Sequence, residues 1–100
     1  MSEYSATIRW SLDGGDFAGN RYTRAHEWLF DGGLTVPASA SPHIVPPPLS
    51  VAEAVDPEEA FVASLSSCHM LFFLSLAVAE GIVVATYEDK ASGRLEKGAD

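Results

Sequence analysis

The sequence predicts an α+β domain, with strands grouped before and after one long helix instead of alternating with helices. Three observations point to it. Residues 4–12 alternate strictly between apolar and polar side chains. Paired glycines flank a second β-rich run. Residues 56–81, DPEEAFVASLSSCHMLFFLSLAVAEG, carry helix signals at both ends and apolar residues between.

The first strand is expected over Tyr4 to Leu12, with Tyr4, Ala6, Ile8, Trp10 and Leu12 on one face. Asp13-Gly14-Gly15-Asp16 is a turn. A second strand is expected over Tyr22 to Phe30, placing Arg24, His26, Trp28 and Phe30 together. Asp31-Gly32-Gly33 makes a hairpin, and Leu34 to Ala38 returns as a third strand. The N-terminal part is thus an antiparallel β-meander. Residues 37–50 hold five of the six prolines, which remove backbone donors and fix φ, so a Pro-rich loop is expected there. His43 and Ile44 are its expected anchors.

The central helix is expected over residues 56–80. Asp56 suits the N-cap, Pro57 the first helical position, and Glu59 completes a D-x-x-E capping box. Glu58 and Glu59 complement the positive end of the helix dipole. Gly81 suits the left-handed position that ends a helix. Such a helix is about 35 Å long. No Asp, Glu, Lys or Arg occurs between Ala60 and Ala79. Phe61, Leu65, Cys68, Phe72 and Leu76 form one stripe, and Val62, Met70, Phe73, Leu74 and Val78 cover much of the rest. A helix apolar nearly all round is expected to be buried nearly all round. After it, Ile82 to Glu88, a turn at residues 89–93 and Arg94 to Glu96 suggest a further β-hairpin.

One hundred residues make one domain at most, and a chain this short buries little more than about 60% of its unfolded surface. A second subunit, or more chain, is the natural cover for the helix. A net charge of −8 argues against nucleic acid or an anionic membrane as a partner. The helix is just long enough to span a bilayer, but its serines, its acidic flanks and the lack of a Lys/Arg cluster argue against it. One cysteine permits no internal disulfide framework, and the N-terminus has no basic and apolar leader, so a cytoplasmic, reducing setting is expected.

Cys68 is either core filler or a reactive thiol. A thiolate three turns into a helix gains little from the dipole and needs a cationic neighbour. His69 adjoins it, but residues i and i+1 do not face each other on a helix. Arg21 or Arg24 can supply the cation, and Glu58 can partner it. His26, His43 and His69 match no metal-ligand spacing, so no metal site is expected.

The run DPEEAFVASLSSCHMLFFLSLAVAEGIVVATYED resembles the OsmC/Ohr family, the osmotically inducible and organic-hydroperoxide-resistance proteins. Pro57, Glu58, Phe61, Ala63 and Cys68 fill that family's helix motif. The Cys68-His69 pair, the following G-x-x-V-x-x-Y-x-D and the upstream R-x-H-x-W-x-F-D-G-G are like its OsmC-like branch. The resemblance implies an intertwined α+β homodimer with long central helices wrapped by sheets from both chains. It implies that residues 1–100 are a single, apparently incomplete domain, the N-terminal two-thirds. It also implies thiol peroxidase chemistry on small apolar organic hydroperoxides. Cys68 would be the peroxidatic thiolate, Arg24 its activator and Glu58 the carboxylate that holds the arginine. Phe61, Phe72, Trp28 and His69 would line the substrate pocket. No bound cofactor is implied, but the family resolves its sulfenic acid with a second cysteine. This sequence has only Cys68, so a thiol from elsewhere or an external dithiol reductant, of lipoyl or thiol type, is expected. The alternative is a non-catalytic OsmC-like ligand-binding or dimerisation module with Cys68 as a core residue.

Overall fold

The computed structural model describes residues 2–96. They divide into two compact units, one ending at Pro57 and the other starting at Glu58.

The first unit is a three-stranded antiparallel meander of β1 (Ala6–Arg9), β2 (His26–Phe30) and β3 (Thr35–Ala38), in the order β1-β2-β3. Ala6 pairs with Phe30 and Ile8 with Trp28, while Trp28 also faces Val36 and His26 faces Ala38. Directly opposed residues share a face. The expected apolar face of the first strand therefore coincides with the His26, Trp28, Phe30 face of the second. The Asp31-Gly32-Gly33 hairpin forms, with Gly33 at φ 99 and its N–H bonded to Phe30 O at 3.0 Å.

The strands are shorter than expected, and their lost ladder bonds go elsewhere. The Arg24 N–H donates to Leu49 O at 2.7 Å and the Ala25 N–H to Thr23 Oγ1 at 3.1 Å, so β2 starts at His26 and not at Tyr22. Beyond β1, the Trp10 indole N–H donates to Thr23 O at 2.9 Å. A bridge missed in the sequence joins Asp16 to Arg21, each N–H bonded to the other's carbonyl at 2.8 Å.

The Pro-rich segment is pinned by serines, not by His43 and Ile44, which are both exposed. Ser39, Ser41 and Ser50 are buried. Ser39 Oγ accepts the Val51 N–H at 2.9 Å, and Ser50 Oγ donates to Val45 O at 2.6 Å. Pro37 lies inside β3, and its carbonyl accepts the Val55 N–H at 3.1 Å. Short hydroxyls satisfy loop backbone groups, the Val51 N–H and the Val45 carbonyl, and apolar pattern gives no sign of this.

The second unit is built on α1 (Pro57–Ala79), with Glu58 and Glu59 in its first turn. Its C-terminus is a Schellman motif: the Ile82 N–H reaches Ala77 O at 2.8 Å, the Gly81 N–H reaches Val78 O at 3.1 Å, and Gly81 has φ 72. Within this chain the helix is left largely bare, in keeping with a helix too apolar for so short a chain to cover: Ala77 alone among its residues is buried, and Phe72 is 73% exposed. One expectation is corrected here: no further hairpin forms, because residues 82–96 contain no strand. That segment instead doubles back along α1. Tyr87 packs on Phe73 with ring centroids 5.7 Å apart, Ser66 Oγ donates to Asp89 Oδ2 at 2.6 Å, and Gly93 lies against Val62. One extended segment covers one side of a helix, and a β-rich run forms a strand only when another strand's backbone lies beside it. By length and composition α1 can cross a membrane, with mean hydropathy 1.9, but core helices of soluble proteins pass the same test.

Candidate functional site

In the first unit, an aromatic wall surrounds Arg24. Phe17 and Tyr22 pack with centroids 4.8 Å apart, and Trp10 meets Tyr22 edge-on at 5.6 Å and Phe17 at 6.1 Å. The Arg24 guanidinium lies over the Tyr22 ring, with Cζ 3.6 Å from the centroid. Its Nη2 donates to Asn20 Oδ1 at 2.8 Å, and its Nη1 donates to the Tyr22 carbonyl. A guanidinium is always charged and needs acceptors when partly buried. Here it has two acceptors and an aromatic face. Arg21, the other candidate activator, is exposed and serves the bridge to Asp16 through its backbone.

His26 lies next to it in a defined tautomer. Its Nδ1 is 2.8 Å from Arg24 O, and its Nε2 is 3.1 Å from Trp28 Nε1. A carbonyl only accepts and an indole N–H only donates, so the neutral ring carries its proton on Nδ1 and accepts at Nε2. An open cleft of about 460 Å³ is lined by Ile8, Trp10, Phe17, Tyr22, Arg24, His26, Ser39, Ala40 and Pro57. Trp28 does not line this cleft; its indole is committed to His26. Trp10 and Tyr22 were missed because alternation accounts for them as strand residues, and Phe17 and Asn20 because they lie between the expected turn and the second strand, where no pattern marks them.

The second unit carries Cys68, Glu58, Phe61, His69 and Phe72. Cys68 is a free, exposed thiol and not core filler within this chain. Phe61 and Phe72 lie seven residues before it and four after, on its own stripe, and both are exposed. Glu58 stands ten residues earlier, about 15 Å along the axis and about 80° round it, so it does not share the thiol's stripe. His69 is offset by about 100°. Among the described residues, no three His, Cys, Asp or Glu side chains come together as a metal site.

The meander followed by one long helix defines an α+β protein, and its described residues include an exposed helical thiol and a clamped arginine. A solved structure of an OsmC-like protein of unknown function from Vibrio cholerae O1 biovar eltor str. N16961 is similar to this chain, with a TM-score of 0.94 and 56% identity. The match covers 99% of this chain and 65% of the other. The chain belongs to the OsmC-like family, and it spans just under two-thirds of that relative's length. No family model and no curated protein matches it.

Proposed function

We propose that the protein reduces small apolar organic hydroperoxides, with Cys68 as the peroxidatic thiolate. OsmC-like membership supports a stress-response role of peroxidase type. The observation that carries the finer reading is Cys68 itself: a lone exposed thiol on one stripe with Phe61, Leu65 and Phe72, in a helical run that contains no Asp, Glu, Lys or Arg from Ala60 to Ala79. The thiolate attacks the distal peroxide oxygen, the O–O bond breaks, and the alkoxide leaves as an alcohol after taking a proton. Cys68 is left as a sulfenic acid. Two thiol equivalents, from an external dithiol or a cysteine outside these 100 residues, return it to the thiol with loss of water and form a disulfide. Arg24 stabilises the thiolate and the departing oxygen, and Glu58 holds the arginine in the assembled protein. Phe61, Phe72, Trp28 and His69 provide the apolar environment for the peroxide's organic group.

In the same reading the protein is a homodimer, because the exposed apolar helix and the β-rich segment after it, which forms no strand here, both call for a second copy. A cytoplasmic, reducing setting suits its free thiol. The test is peroxide consumption by the full-length protein with a dithiol reductant, using cumene hydroperoxide. Cys68→Ser is expected to abolish it. Peroxide decay at the wild-type rate in that variant refutes the assignment.

A further inference from the structure

We propose that Asn20 is a positioning residue for Arg24, and that the loop of residues 16–21 exists to hold its side-chain oxygen in place. The proposal rests on the reading in which Arg24 activates Cys68.

The loop is over-determined. Asp16 and Arg21 exchange both backbone hydrogen bonds at 2.8 Å. Within that closure the Asn20 N–H donates to Phe17 O at 3.0 Å, and the Gly19 N–H donates to Asp16 Oδ1 at 3.0 Å. A side chain at position 19 would collide with that same carboxylate, since a Cβ there meets Asp16 Oδ2 at 2.2 Å. Asn20 itself has φ 65, the left-handed region that glycine enters most freely and asparagine tolerates. Glycine would satisfy the turn; asparagine adds an acceptor. A guanidinium only donates, so the amide must turn its oxygen to Arg24 Nη2, at 2.8 Å.

The other side of the guanidinium is fixed independently. The Tyr22 ring beneath it is held between Phe17 and Trp10, and the Trp10 indole is tied to Thr23 O. Phe17 thus serves both halves of the clamp, through its carbonyl to Asn20 and its ring to Tyr22. Two bonds from different directions plus a ring face define the plane and the rotation of the guanidinium. A cation that must serve one sulfur gains from such preorganisation, because the ordering cost is met on folding and not at each reaction.

The test compares Asn20→Gly with Asn20→Asp in the full-length protein. Glycine keeps the left-handed turn and removes the acceptor, whereas aspartate restores it. The first readout is the rate of rotation about the Arg24 Cζ–Nη bonds, by ¹⁵N NMR of the arginine side chain. Rotation is expected to be slow in the wild type, fast in Asn20→Gly and slow again in Asn20→Asp. The second readout is the pH profile of Cys68 alkylation by iodoacetamide. Asn20→Gly is expected to slow alkylation near neutral pH by about tenfold, the weight of one charge-assisted hydrogen bond, and Asn20→Asp to recover most of it. Unchanged rotation in Asn20→Gly overturns the proposal. So does freed rotation with an unchanged alkylation profile, if Arg24→Lys alters that profile. If Arg24→Lys has no effect on alkylation, the activating role of Arg24 fails instead, and rotation alone decides whether Asn20 holds it.

Discussion

The Arg24 guanidinium rests on the face of Tyr22, its Cζ 3.6 Å from the ring centroid, two residues away along the same chain. Neighbours at i and i+2 on an extended backbone lie on one side of it, so the contact is local. What makes it firm is not local: Trp10, twelve residues before Tyr22, and Phe17 fix the ring from two sides.

Tyr22→Leu therefore removes a cation–π contact and an aromatic cluster together. It is expected to lower stability by about 1–3 kcal/mol, and Tyr22→Phe, which keeps the ring face, by less than about 0.5 kcal/mol. Urea unfolding followed by tryptophan fluorescence checks the pair. Equal losses in the two variants would show that the ring face is not what matters.

The neutral His26 ring is expected as the Nδ1–H tautomer, visible in the ¹⁵N shifts of a long-range ¹H–¹⁵N correlation spectrum. Trp28→Phe removes the donor to Nε2 and leaves an acceptor without its protein partner. The cost is about 1 kcal/mol, and the tautomer preference weakens because only the Arg24 carbonyl still imposes it. A spectrum dominated by the Nε2–H form in the wild type contradicts this geometry.

Gly14 and Gly15 share φ 78 but not their surroundings. A Cβ at Gly14 meets nothing within 4 Å, whereas one at Gly15 meets the backbone oxygen of Arg21 at 2.7 Å. Gly14→Ala should cost the left-handed strain alone, about 1–2 kcal/mol. Gly15→Ala should cost more, since the Asp16–Arg21 closure must move. Denaturant midpoints rank them, and the opposite order would sink the argument.

Ser39 is fully buried and its Oγ accepts the Val51 N–H. Ser39→Ala leaves that donor unmatched at an expected cost of about 1–3 kcal/mol. Ser64 is the control: its exposed hydroxyl donates to Phe61 O within the helix. Ser64→Ala should change stability by less than about 0.5 kcal/mol in either direction. Similar thermal unfolding midpoints for the two variants would mean that the serine does not pin the loop.

By itself the sequence determined what depends on local chemistry. Helix α1 begins at Pro57 and ends in the left-handed Gly81 because capping, dipole and glycine φ act within a turn. The sheet faces followed from period-two alternation, and the Asp31-Gly32-Gly33 hairpin from glycine's freedom at positive φ. Arg24 and Cys68 were legible as chemically expensive or reactive groups in apolar runs. Tertiary structure decided where polar groups find partners across the chain. Leu49 takes the Arg24 N–H and so shortens β2, Val51 occupies Ser39, and Asn20 receives the guanidinium. It also decided that residues 82–96 lie along α1 and not in a ladder. The reason is physical: a strand or a hydrogen bond needs a second group from elsewhere, and one residue's neighbours in sequence do not say which group will arrive.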